Sequence, residues 1–231
     1  MPDLSSLHEI KVGSHLFHVG KPEIRDVRKA VVGYSDVTSL FLFLQRACDL
    51  VVFHGPNIAT ARMLEYPEKT GSQVSLQDHL FYWEFRPISG LTCLRKGMAQ
   101  GEIVGGNLTR LVGSIGTDHE IETDQRILFL EDAGKDARQI DAMVTHLRNA
   151  GKLDGVRGMV FSDMFECSNL HMLWESVSEL LPEFGIPIAS GLPSGHGRSC
   201  LTIPLGVEVI LDADEESITF EREGQANVPN R

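Results

Sequence analysis

The sequence predicts an α/β fold: an N-terminal lobe with a parallel sheet, then a C-terminal α/β lobe with a mixed sheet, and an active site between them. Three observations predict it. Short apolar runs at 30–32, 50–53, 127–130 and 156–161 alternate with stretches whose apolar residues recur at helical spacing, which is the pattern of βαβ units. Residues able to do chemistry collect just after those runs, where open parallel sheets gather ligands. Near the end, 207–211 and 217–221 read as an antiparallel hairpin, so the second sheet is mixed.

The bulk properties narrow the class. With 231 residues, 42% of them hydrophobic, the chain can bury a real core as one large domain or two small ones. A composition shift near 86–90 places the boundary there, giving lobes of 1–87 and 88–231. No apolar run approaches the roughly 20 residues that a membrane span needs. Met1-Pro-Asp-Leu-Ser-Ser has neither the basic start nor the apolar core of a signal peptide, so the expected location is the cytoplasm with no membrane partner. Cys48, Cys93, Cys167 and Cys200 are widely spaced and form no C-x-x-C pair, which fits reduced thiols. A net charge of −11 argues against non-specific nucleic-acid binding.

In residues 1–28, Leu16, Phe17 and Val19 suggest a short strand bounded by Gly13 and Gly20. His15 and His18 lie nearby without a cysteine or carboxylate cluster, so they read as surface or half-buried histidines and no metal is expected. Next, Ala30, Val31 and Val32 form a buried strand broken by Gly33. Ser35 and Asp36 are both helix-starting residues, and Leu40, Phe41 and Leu44 continue at helical spacing. Ser35 therefore stands at the apex of a strand–turn–helix. It reads either as a nucleophile, with the Asp36 N–H facing a developing oxyanion, or as an ordinary N-cap serine. Gly33 permits the sharp turn and close approach of a substrate.

A second strand ends in Phe53-His-Gly-Pro56 and pairs in parallel with the first. His54 thus lies near the site or serves as a hydrogen-bonded structural histidine. Residues 59–85 read as a surface excursion, with Trp83 and Phe85 as core or interface aromatics. Gly105-Gly106-Asn107 before a helix start at Leu108 offers backbone N–H groups to an anion or carboxylate. The lysine of a P-loop is absent, which argues against nucleotide phosphate. Ile127-Leu-Phe-Leu-Glu-Asp132 is an apolar strand that delivers two acids at its end. Glu131 continues the buried strand, and Asp132 suits a cap. Ile140, Met143, Val144 and Leu147 form one apolar helix face, stopped at Gly151. His196 lies between Gly195 and Gly197, an open setting suited to proton transfer.

Ser35, Glu131 and His196 each sit at or just after a strand end, in the order Ser…Glu…His. A serine hydroxyl needs a base to attack, and an imidazole needs an acid to fix its tautomer and stabilise its protonated form.

Gly33-Tyr-Ser-Asp-Val-Thr38, Phe53-His-Gly-Pro56, Gly105-Gly-Asn-Leu108, Ile127-Leu-Phe-Leu-Glu-Asp132 and Gly195-His-Gly197 together resemble the LD-carboxypeptidase family of serine peptidases. That family includes the microcin C self-immunity peptidases. The resemblance runs over residues 29–221 with the motifs in order. It implies Ser35 as nucleophile, Glu131 and His196 as its partners, and the Asp36 N–H in the oxyanion hole. It also implies a metal-free, cofactor-free, homodimeric cytoplasmic enzyme. Such an enzyme hydrolyses an L,D-amide bond and releases terminal D-alanine from peptidoglycan tetrapeptides during cell-wall recycling.

Two departures stand against the resemblance. The family's Arg-Gly-Gly-Tyr-Gly turn, which gives the other oxyanion donor, has no match in residues 1–28, so the N-terminal lobe is expected to be incomplete. Ile140-Asp141-Ala142 stands where Ile-Asp-Arg is common, which bears on substrate class. Three readings follow. The first is a hydrolase acting on a small muropeptide. The second is a microcin-immunity-type peptidase acting on a peptidyl or aminoacyl adenylate, with Trp83 or Trp174 available to stack on the base. The third is a truncated, catalytically silent relative that binds peptide.

Overall fold

The computed structural model describes residues 7–12, 15–20, 30–56, 86–162, 164–180, 185–197 and 200–221, with backbone alone for 7–12, 15–20 and 178–180. The readings of residues 59–85 and of Trp83 and Phe85 lie outside these segments.

The sheet that carries the acid is built around a long strand. β7 (Met98–Asn107) and β8 (Ile127–Glu131) run parallel in the register Ile103↔Ile127 to Asn107↔Glu131. Beyond β8 follow β9 (Gly158–Ser162) and β10 (Ile188–Leu192), both parallel, and then β6 (Thr92–Arg95), antiparallel at one edge. On the other side β7 pairs with β12 (Glu208–Asp212), the first strand of a hairpin with β13 (Ser217–Phe220). β5 (Ile88–Ser89) closes that edge, making eight strands in the order β5-β13-β12-β7-β8-β9-β10-β6. The sheet is mixed, as expected, and the closing hairpin is present.

All five residues of β8 are buried, because both faces of the sheet are covered. Ile127 and Phe129 join one cluster with Phe41, Phe43, Val52 and Ile203. Leu128 and Leu130 point the other way, into a cluster with Leu108, Leu111, Ile140, Leu147, Leu173 and Phe161. The second face is covered by α2 (Leu108–Ser114), α3 (Ala137–Asn149) and α4 (Leu170–Leu180). α3 starts in a full capping box, Asp136 with Gln139, and is followed by Gly151 at φ 73°.

The serine side has its own small sheet, in the order β11-β4-β3. β3 (Val32–Gly33) and β4 (Val52–His54) are parallel, with Gly33 opposite His54. β11 (Ile203–Leu205) returns from the far end of the chain and places Ile203 opposite His54 from the other side. Between β3 and β4 runs α1 (Thr38–Cys48), which buries Phe41, Phe43 and Leu44 and ends at Asp49 with φ 55°. A separate antiparallel hairpin joins β1 (Leu7–Val12) to β2 (His15–Gly20). The strand expected around Leu16–Val19 is therefore present, with a partner the sequence did not reveal.

Local differences from the expectation have physical causes. Gly33 is the last residue of β3 rather than lying beyond it, and its backbone carbonyl accepts from the Gly55 N–H at 2.9 Å. Ser35 and Asp36 do not cap α1. Ser35–Val37 forms a single 3-10 turn ahead of the helix, with no side-chain cap, and the Asp36 carboxylate turns instead to Arg110.

Candidate active site

Ser35 occupies φ 61°, the left-handed region, without being glycine. Such a residue costs about 1–3 kcal/mol and persists only where its surroundings impose it. Here β3 ends and the 3-10 turn begins within one residue, so the chain must reverse sharply at that point. Gly33 is buried, and a Cβ there would sit 3.0 Å from both Val37 methyls, so the turn itself fills that space. Asp36 is tied by its carboxylate to Arg110 Nη2 at 2.6 Å, with both side chains partly exposed.

The end of β7 is fitted against the start of α1. Gly106 has φ 135°, and a Cβ there would lie 2.7 Å from Thr38 Oγ1. The Asn107 N–H donates to that same hydroxyl at 3.0 Å. The N–H groups read as an anion cradle are thus partly spent on Thr38. Asn107 also caps α2 by accepting from Arg110 N–H at 3.3 Å, and its amide donates to Glu131 Oε2 at 3.2 Å. Asp132 accepts from the Thr109 N–H at 3.0 Å and the Thr109 hydroxyl at 2.6 Å, so it ties the start of α2 to the end of β8, whereas the helix that follows it in sequence is capped by Asp136.

Glu131 is fully buried at the end of β8. Its Oε1 meets the His196 ring Nδ1 and accepts the His196 backbone N–H at 3.2 Å. Burial pushes this carboxyl up. The His196 hydrogen bond, the fields of His54 and His196 and the Asn107 amide outweigh burial and hold it below the usual carboxylate range. Gly195 explains the close fit: a Cβ on it would fall 2.4 Å from Glu131 Cγ, and its φ is 112°. The His196 side chain is anchored by Glu131 and remains 25% exposed.

The serine turn and the histidine loop are neighbours. The ring of Tyr34, directly before Ser35, stands edge to face with the His196 ring at a centroid distance of 4.8 Å. His54 lies beneath them with no exposed surface, bonded through Nδ1 to Ser194 Oγ at 2.9 Å and packed on Phe129. All seven site residues read from the sequence (Gly33, Ser35, Asp36, His54, Asn107, Glu131 and His196) fall in this one region or on the elements that frame it. Tyr34, Thr38, Ser194 and Arg110 were missed. Tyr34 and Thr38 stood within the quoted Gly-Tyr-Ser-Asp-Val-Thr signature, whereas nothing in the sequence singled out Arg110. A polar cavity of about 240 Å³ opens elsewhere, between Arg46, Asp49, Glu102, Glu122 and Arg126, and none of these seven residues lines it.

Residues 100–211 match the LD-carboxypeptidase C-terminal domain. Over 205 residues the chain is 31% identical to the "Probable murein peptide carboxypeptidase" of Bacillus subtilis (strain 168), covering 86% of this chain and 64% of that protein. This chain belongs to the LD-carboxypeptidase family. It is also 26% identical over 225 residues to the "Microcin C7 self-immunity protein MccF" of Escherichia coli, across 83% of this chain and 65% of that one. The chain spans 64% of the length of the Bacillus subtilis relative.

The LD-carboxypeptidase assignment agrees with the fold. MccF in complex with glutamyl sulfamoyl guanosine superposes with a TM-score of 0.76 at 21% identity, covering 89% of this chain and 71% of that one. An MccF-like protein from Bacillus anthracis str. Ames gives 0.75 at 24% identity, covering 87% and 70%. At such identities the likeness is one of fold. Among the described residues no helix is long and apolar enough to cross a membrane.

Proposed function

We propose that this chain is a serine carboxypeptidase that cleaves an L,D-amide bond through Ser35, His196 and Glu131, releasing terminal D-alanine from a peptidoglycan tetrapeptide. The observation that carries the reading is the double hold of Glu131 on His196, beside a turn whose serine is in a left-handed conformation. With Nδ1 committed to Glu131, Nε2 is the nitrogen that serves as the base.

In the first step Ser35 Oγ bonds to the amide carbonyl carbon while its proton passes to His196 Nε2. The carbonyl π electrons move to oxygen, and the Asp36 N–H is placed to stabilise that oxyanion. Glu131 stays ionised and stabilises the imidazolium. Collapse breaks the C–N bond, and the departing amine takes the proton from Nε2. Water, deprotonated by the same nitrogen, then cleaves the acyl ester and regenerates the Ser35 hydroxyl. General-base help of this kind contributes about two to four powers of ten in rate.

Likeness to a probable murein peptide carboxypeptidase supports a muropeptide substrate. An adenylate substrate is the weaker reading, because Trp174 is packed edge to face on Phe161 at 5.3 Å and joins the helical core. The family resemblance supports a two-lobed, homodimeric cytoplasmic enzyme, and sedimentation of the purified chain tests the dimer. The function is tested by incubating the chain with muropeptide tetrapeptide beside a Ser35→Ala control. Stoichiometric D-alanine release by the wild type alone supports the reading. Release that survives the substitution removes Ser35 from the mechanism, and no release from folded protein favours a silent, peptide-binding relative.

A further inference from the structure

We propose that His54 and Ser194 are positioning residues: the His54 Nδ1–H, donating to Ser194 Oγ, locks the loop that carries His196 onto the strand beside the Ser35 turn. The inference deepens the reading of Ser35, His196 and Glu131 as a catalytic set and rests on it.

Residues 193–195 are tied to 200–201 by three bonds, of which Gly195 N–H to Cys200 Sγ at 3.4 Å is one. Leu201 N–H donates to Pro193 O at 2.7 Å, and Ser194 Oγ donates to Leu201 O at 2.8 Å. Because the Ser194 hydroxyl gives its only proton to Leu201, its oxygen accepts from His54, at 2.9 Å. That fixes the His54 tautomer with hydrogen on Nδ1. Nε2 is buried and has no hydrogen-bond partner among the described residues, so Ser194 is the polar tether of the ring. Burial outweighs the pull of Glu131, with His196 acting in the same sense as burial, and lowers the His54 pKa to about 4. The ring therefore keeps one donor and one lone pair at neutral pH.

The placement makes this tether consequential. His54 lies on the central strand of the three-stranded sheet, opposite Gly33 on one side and Ile203 on the other. Gly33 is two residues before Ser35, and Ser194 is two residues before His196. This buried hydrogen bond thus ties the strand beside the Ser35 turn to the loop that bears His196, in addition to the β4–β11 pairing and the Tyr34–His196 contact. Glu131 fixes the ring and the backbone N–H of His196 itself. His54 supplies the second fixed point. Misplacing a reacting group by about 1 Å costs on the order of 10²-fold in rate.

The test uses the full chain and the variants His54→Phe, His54→Asn and Ser194→Ala. Asparagine puts an amide N–H where Nδ1–H stands, whereas phenylalanine fills the space without a donor. Two measurements are made on each variant: steady-state D-alanine release, and the far-downfield proton resonance of the His196 Nδ1–H shared with Glu131. Ser194→Ala and His54→Phe are expected to lower kcat by roughly 10–100-fold, with KM held within about threefold. They are also expected to broaden or shift the downfield resonance, and His54→Asn to restore both. Unchanged kcat and resonance in Ser194→Ala overturn the proposal, as does equal loss in His54→Asn and His54→Phe. Should His54→Phe not fold, Ser194→Ala decides. A wild type that shows the resonance but hydrolyses nothing defeats the catalytic reading, and the resonance in the variants then judges the tether by itself.

Discussion

Glu131 holds His196 twice through one oxygen: Oε1 meets the ring Nδ1 and also takes the backbone N–H at 3.2 Å, while Oε2 receives the Asn107 amide. The carboxylate is therefore surrounded by donors and has no face on which a donor of its own would be welcome. Glu131→Gln puts an NH2 group against either Asn107 or His196, whichever way the amide turns. Loss of the imidazole anchor is expected to lower kcat by on the order of 10⁴-fold. The buried mismatch is expected to lower unfolding free energy by about 1–3 kcal/mol. Turnover and urea unfolding of the variant check both, and an active Glu131→Gln enzyme refutes the assignment of Glu131 as the partner acid.

Gly195 is the residue on which that contact depends sterically. A Cβ there meets Glu131 Cγ at 2.4 Å with φ at 112°, whereas at Gly134, φ 64°, a Cβ meets nothing within 4 Å. The two glycines separate backbone conformation from crowding. Gly134→Ala is expected to cost about 1 kcal/mol, from left-handed strain alone. Gly195→Ala is expected to cost about 2–5 kcal/mol, or to push the loop away and abolish activity in a folded chain. Equal behaviour of the two variants contradicts the close approach.

The site was legible where chemistry forces a residue type onto a strand end, and much less so where a partner comes from a distant segment. Ser35, Glu131 and His196 could be read because each follows an apolar run, and such runs are the strongest periodic signal in a parallel sheet. The helix from Ala137 was legible for a similar reason, since its capping box and apolar stripe are local. The sequence could not show that β11 would return to pair with β4 across roughly 150 positions, because its three residues, Ile-Pro-Leu, carry too little pattern. Nor could it show that Asp36 would turn to Arg110 instead of capping a helix. Both choices belong to tertiary packing.

Ser35 holds a left-handed backbone conformation that carries a cost for any residue with a Cβ. Its φ of 61° is open to glycine without penalty. Ser35→Gly is expected to raise unfolding free energy by about 1 kcal/mol, the lower end of the cost of a left-handed non-glycine residue. It is also expected to abolish the proposed D-alanine release. Ser35→Ala keeps the strain and is expected to be equally inactive. A glycine variant no more stable than the alanine variant contradicts the strained turn.

Acid sensitivity should centre on the two buried groups behind the site. Glu131 has its carboxyl held below the ordinary value of 4.5, so it contributes stability above that pH, lost as pH falls through the folded value. His54 has its pKa lowered from 6.5 to about 4 by burial, against the pull of Glu131. Between those values the unfolded chain binds a proton at this position that the folded chain refuses, so stability falls as pH drops from 6.5 towards 4. The shift corresponds to about 3 kcal/mol. Acidification therefore acts through both groups in the same direction, with His54 governing the upper part of the window and Glu131 the lower. Urea unfolding at intervals from pH 7 to pH 4 should show this decline. His54→Phe, which has nothing to protonate, should flatten it above about pH 5 while leaving the Glu131 limb in place. Parallel curves for wild type and variant would mean that the His54 ring takes up its proton as readily in the folded chain as in the unfolded one, and that the buried tether is open to water.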